Sequence, residues 1–81
     1  MTHHHHGTHP LSTLKKGQGG RVVELEKSAV SLHLMEMGIL PGEYIEVSKI
    51  APFGDPMSII ISGYLLSIRK EEAAHVLVEL K

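Results

Sequence analysis

From Arg21 onward the chain switches between a strand period of two and a helical period, and the switches predict its elements. Val22, Val23 and Leu25 mark a first strand over Arg21–Glu26, although their imperfect alternation leaves its inward face open. In Ser28–Met37 the period becomes helical: Val30, Leu34 and Met37 recur at i, i+4 and i+7, with Met35 beside them. Ser28 suits the N-cap, Gly38 the left-handed residue that ends the helix, and Ile39 can fold back on it. Leu40-Pro41-Gly42 then predicts a type II turn. Period two returns in Tyr44–Ile50, where Ile45 and Val47 alternate with Glu46 and Ser48. Met57, Ile59 and Ile61 share one face of a third strand, with Ile60 on the other. Ser62-Gly63 makes a hairpin turn. In the fourth strand Tyr64, Leu66 and Ile68 point inward, and Leu65, Ser67 and Arg69 outward. Lys70–His75 holds helix formers for one or two turns, and Val76, Val78 and Leu80 alternate as a closing strand. Ahead of all these, Leu11 and Leu14 fit one helical turn. Lys15–Gly20 reads as a polar, Gly-rich turn that lacks the Gly-Lys-Ser/Thr of a phosphate loop.

Short strands at close spacing, with a helical turn before the last, predict a small closed or partly closed barrel, because closure removes raw sheet edges. The expected fold is mainly β: an SH3-like barrel of about five strands, with an inserted α-helix and a short C-terminal helical turn. Residues 11–81 form this domain. Residues 1–10 carry no hydrophobic pattern and read as a disordered His-rich tail, either an affinity tag or a native segment. Eighty-one residues allow one domain, and with two Tyr, one Phe and no Trp its core must be aliphatic. The absence of cysteine excludes disulfides and thiolate metal sites and suits a reducing cytosol. A formal net charge of −1 provides no basic footprint for nucleic acid. No apolar run approaches the ~18 residues of a membrane helix, and no signal peptide opens the chain. A role at a membrane would therefore go through a partner.

Side chains that carry chemistry are few. Glu71-Glu72 fits a solvated face, and no nucleophile–base pair or spaced acid pair suggests catalysis, so no enzyme is expected. The imidazoles of His3, His4, His5, His6 and His9 would take transition metals such as Fe²⁺ or Zn²⁺ whatever the origin of the tail. His33 and His75 are further candidate ligands, although each is more simply explained as an ordinary surface histidine. No cofactor is required. Met35 and Met37 fit core filling better than metal ligation.

The most constrained stretch is Ala51-Pro52-Phe53-Gly54-Asp55-Pro56. Pro52 pushes Ala51 into the extended region, Gly54-Asp55 permits a reversal, and Pro56 can open a strand but not sit inside one. Phe53 at its centre has two candidate roles: capping the open end of the barrel, or anchoring a partner.

Gly38-Ile39-Leu40-Pro41-Gly42, then Ala51–Pro56, then Gly63-Tyr64-x-Leu66-x-Ile68-Arg69-Lys70-Glu71-Glu72-Ala73 together resemble the FeoA family of bacterial ferrous iron transport. The same domain ends repressors of the diphtheria-toxin-repressor type. The resemblance covers Leu11–Leu80. It implies an SH3-like barrel without catalysis that works in iron uptake through FeoB, a membrane GTPase transporter. It also implies a cytoplasmic location, peripheral to the inner membrane through that partner. The family often has basic residues on the helix before its Leu-x-x-Leu-Gly segment, where this chain has Ser31, Leu32 and His33. This departure argues against a contact made through positive charge here and leaves Leu32 as a candidate exposed apolar contact. The candidate partner-binding residues are Phe53, Leu32, Leu65 and His33, and weak self-association is a further expectation. Two other readings are a stand-alone metal-binding or metal-sensing module and an RNA-binding barrel. Gly19-Gly20-Arg21-Val22-Val23 loosely suggests the second of these, and the neutral charge and scarce aromatics oppose it. Tyr44, Tyr64 and Phe53 are too few for a proline-peptide groove.

Overall fold

The computed structural model describes residues 7–80. Its elements are β1 (Thr8–Pro10), a 3-10 turn (Leu11–Thr13), β2 (Gly19–Leu25), α1 (Ala29–Glu36), β3 (Tyr44–Ile50), β4 (Met57–Ile61), β5 (Tyr64–Ile68), α2 (Lys70–Ala73) and β6 (Val76–Leu80). The strands form one antiparallel sheet in the order β1-β6-β2-β3-β4-β5.

Where the alternation is cleanest, sequence and structure agree. Ile45 and Val47 of β3, Ile59 and Ile61 of β4 and Ile68 of β5 are buried in one aliphatic core. Ser62 and Gly63 have φ of 51° and 81°, the two positive values of a type I′ hairpin turn. Such a turn matches the natural twist of the strands it joins, so β4 and β5 pair without interruption from Ile61↔Tyr64 to Met57↔Ile68.

The ends of α1 are set by local chemistry. The Ser31 N–H donates to Ser28 Oγ at 3.1 Å, and the Ser28 N–H donates back to Ser31 Oγ at 3.0 Å. This reciprocal box satisfies donors that the helix cannot, and it leaves Ser31 buried. At the other end Gly38 takes φ +101°. Its N–H donates to the Met35 carbonyl at 3.0 Å, and that of Ile39 to the Leu34 carbonyl at 3.1 Å. Ile39 is thereby folded into the core beside Leu34, with Val30 and Met37 half-buried against it. The type II turn follows as expected, with Gly42 at φ +97° and the Glu43 N–H donating to the Leu40 carbonyl at 3.1 Å.

Several expectations are corrected. Thr8–Pro10 is not a disordered tail but β1, which pairs with β6 through Thr8↔Glu79, His9↔Val78 and Pro10↔Leu77. The pairing satisfies main-chain groups of β6, and a side-chain pattern could not reveal it. The expected tail over residues 1–6 lies outside the described residues. Among the described residues the sheet has six strands where about five are expected, and β1 and β5 stand at its two ends, so it is the partly closed alternative without full closure. The uneven alternation of β2 comes from a bulge: Val22 pairs with Val78 and Glu24 with Leu77, so Val23 is an extra residue. A second register shift lies between Val47 and Lys49 in β3. Tyr64, expected inward, is exposed at the start of β5, and Leu80 is exposed at the end of β6. Tyr64 sits on the core side of its strand but next to the hairpin turn, beyond the packed interior.

Gly19 and Gly20 begin β2 instead of ending a turn. A Cβ on Gly20 would collide with the main-chain carbonyl of Glu79 in β6. Glycine is present there because two backbones approach too closely for any side chain. Gly20→Ala should therefore destabilise the domain by roughly 1–3 kcal/mol through overpacking against backbone, read as a lower urea midpoint. An unchanged midpoint would contradict the close β2–β6 approach.

Candidate interaction surface

The loop between β3 and β4 is tied down at three points. The Gly54 N–H donates to the Ala51 carbonyl at 2.7 Å, and the Ala51 N–H donates to the Pro56 carbonyl at 3.1 Å. Asp55 Oδ1 accepts the Lys70 N–H at 3.0 Å and lies 3.7 Å from Arg69 Nη1, which fastens the loop to the start of α2. Gly54, at φ +88°, takes the conformation that lets the chain reverse. The result is a short, internally bonded loop that holds Phe53 at its tip, 97% exposed.

That exposure contradicts the capping role. The core is completed by aliphatic side chains, Leu11, Leu14 and Ala73 among them, and takes nothing from Phe53. An exposed Phe leaves about 1.5–3 kcal/mol of hydrophobic free energy unrealised. A hydrogen-bonded loop presents it at little further entropic cost.

The other expected contact residues lie on different elements. Leu32 is 63% exposed on α1 and, with Lys27, Ser28, Ser31 and Met35, lines a shallow, mainly apolar groove of about 460 Å³. His33 is exposed on the same helix. Leu65 is 66% exposed on the outer face of β5, directly across from Ile60 of β4. Neither Phe53 nor Leu65 lines the groove at Leu32. Sequence reasoning missed Ile60, exposed beside Leu65, and Tyr64, 71% exposed at the mouth of a second groove. That groove, of about 420 Å³, is lined by Met37, Gly38, Ile61, Ser62, Tyr64 and Leu66. One signal was available: Tyr64-Leu65-Leu66 places three apolar residues in succession, so one face of the strand cannot hide them all.

The candidate metal ligands are not brought together. His9 is exposed on β1, His33 on α1, and His75 follows α2. Nδ1 of His75 comes within 3.3 Å of Glu26 Oε1 without hydrogen-bond geometry. Among the described residues no three His, Asp or Glu are grouped to hold a metal ion. His3, His4, His5 and His6 lie outside the described residues. Also among the described residues, no helix is long and apolar enough to cross a membrane.

Fold and surface define a small, mainly β domain that presents apolar side chains from a loop, a helix and a sheet edge. The chain belongs to the FeoA family, whose domain model matches residues 9–80. A Porphyromonas gingivalis protein named as a fusion of Fe²⁺ transport protein A with the Fe²⁺ transporter FeoB is 38% identical over 71 residues. That match covers 86% of this chain but 8% of the fusion protein. The FeoA-like protein of Clostridium acetobutylicum superimposes with a TM-score of 0.86 at 33% identity, covering 91% of this chain and 87% of that one. FeoA of Stenotrophomonas maltophilia, solved with zinc and described as an SH3-domain protein, shares the fold. It has a TM-score of 0.75 at 24% identity and covers 85% of this chain and 87% of that one. The SH3-like class expected from the order of elements therefore holds, with β1 and β5 at the two ends of the sheet among the described residues. The family is an accessory one of iron transport.

Proposed function

We propose that this chain is a non-enzymatic accessory protein of ferrous iron transport. It binds the cytoplasmic GTPase part of an FeoB-like membrane transporter, with Phe53 at the centre of the contact. The observation that carries this reading is the nearly complete exposure of Phe53 on a loop bonded at its base, its tip and α2. Rigid aromatic anchors of this kind dominate protein interfaces. The fusion of a related domain to FeoB in one polypeptide supports the choice of partner. Fusion raises the effective concentration of two modules that act together. Leu32 and Leu65 extend the candidate contact on other elements, and His33 borders it on α1.

Such a protein acts from the cytosol and reaches the membrane through its partner. Ferrous iron is the transporter's cargo, and the contact needs no metal of its own. If the chain prefers one nucleotide state of the GTPase, it shifts the populations of the two states by its difference in affinity. The direct experiment is co-purification of the full chain with the transporter's GTPase part, loaded with GDP or with a non-hydrolysable GTP analogue. Retention in at least one state is expected. Absence of retention in both states would reject the reading.

A further inference from the structure

We propose that β5 is a self-association edge: a second copy of this chain adds its own β5 antiparallel, about a two-fold axis at Leu66. This is independent of the transporter contact.

Among the described residues β5 has one strand neighbour, β4, and stands at the end of the sheet, with no strand on its other edge. Exposed edges are usually blunted by proline, by charge or by a bulge. Tyr64–Ile68 contains neither proline nor a charged residue, and its register with β4 is unbroken. The opposite edge differs: β1 is only three residues long and ends in Pro10, which has no N–H to offer.

The main-chain groups of β5 fit a second β5. In an antiparallel ladder alternate residues bond to one neighbour and then the other. Tyr64 closes a two-residue turn with Ile61, so Tyr64, Leu66 and Ile68 bond toward β4. Leu65 and Ser67 turn their N–H and C=O groups outward. With the axis at Leu66, Leu65 of each copy faces Ser67 of the other, and the two pairs exchange four hydrogen bonds. Leu66 meets its own equivalent as a close, non-bonded pair.

The side chains fit the same register. Tyr64 of one copy faces Ile68 of the other on the core side of the sheet. The groove at Met37, Gly38, Ile61, Ser62, Tyr64 and Leu66 opens on that side, so the two grooves become neighbours across the axis. Charge agrees as well. Arg69 of one copy arrives opposite Gly63 of the other, next to Ser62, whose Oγ donates to Glu43 Oε1 at 2.9 Å. Each Arg69 guanidinium, 3.7 Å from Asp55 within its own chain and still largely exposed, thus also approaches Glu43 of the second copy. A strand sequence that is its own complement favours a second copy over a foreign peptide. Five-residue edges bury little area, so the dimer belongs to the weak class of interfaces and forms at high concentration.

Sedimentation velocity of the full chain, from low micromolar to millimolar concentration, tests this. EDTA is included so that the N-terminal histidines cannot bridge copies through metal. A monomer–dimer equilibrium is expected. Ser67→Pro removes two of the four exchanged bonds while sparing the ladder to β4, and should weaken the dimer about tenfold. Arg69→Glu should weaken it too, and adding Glu43→Arg to the same chain should restore it. That rescue decides the matter if Ser67→Pro does not fold by circular dichroism. A chain that stays monomeric at millimolar concentration would overturn the proposal. So would a dimer that keeps its affinity in both Ser67→Pro and Arg69→Glu.

Discussion

Ile59→Ala should lower the stability of the domain by roughly 2–5 kcal/mol. Ile59 is fully buried and lies between Val47 of β3 and Leu66 of β5, so truncation removes contacts on both sides. Each lost methylene costs about 0.8 kcal/mol of transfer free energy. The cavity adds to this, because a strand bonded on both edges cannot collapse freely into it. For 81 residues the whole stability is about 4–12 kcal/mol, so one substitution removes a large share. The melting temperature followed by circular dichroism should fall by about 10 °C or more. Ile60→Ala, one residue along and on the exposed face, should cost less than about 1 kcal/mol. Equal losses at the two positions would contradict the register of β4.

The inward set of β4 was legible because a period of two admits no other face once Ile59 and Ile61 are buried. The helix was legible for a local reason as well: Ser28 and Gly38 are the residue types that its two ends require. What was hidden depended on contacts distant in sequence. β1 forms through main-chain pairing with β6, and Thr8-His9-Pro10 carries no apolar signal. Gly19-Gly20 looked like a turn because glycine is common in turns. Only the approach of Glu79 gives Gly20 its meaning. A single extra residue at Val23 blurred the alternation of β2 without leaving any mark of its own.

The candidate site divides in the same way. The loop Ala51–Pro56 announced its constraint through Pro52, Gly54 and Pro56. Whether Phe53 turned inward or outward depended on where the loop sits relative to the core, and its local residues do not encode that. The exposure of Leu32 and Leu65 followed from their phase on a helix and a strand. The open edge of β5 did not, because which strand ends the sheet is a property of topology.

Phe53→Ala should leave folding intact and cost about 2 kcal/mol or more of partner binding. With its side chain 97% exposed, Phe53 contributes almost no buried area to the folded domain. The melting temperature should therefore stay within about 2 °C of the parent. The binding loss is larger because an aromatic at the centre of an interface is desolvated on contact and excludes water from its neighbours. Calorimetric titration of parent and variant against the transporter's GTPase part separates the two effects. A variant that melts like the parent and binds like it would remove this loop from the interface.

Amide chemical-shift mapping of the ¹⁵N-labelled chain, titrated with the unlabelled GTPase part of an FeoB-like transporter, tests the Phe53 contact most directly. Saturable shifts centred on Phe53 and Gly54 are expected, with the amides of Ala51 and Lys70 following through their hydrogen bonds to the Pro56 carbonyl and to Asp55 Oδ1. A saturable set of shifts elsewhere on the domain, with the Phe53 loop unmoved, would contradict that contact.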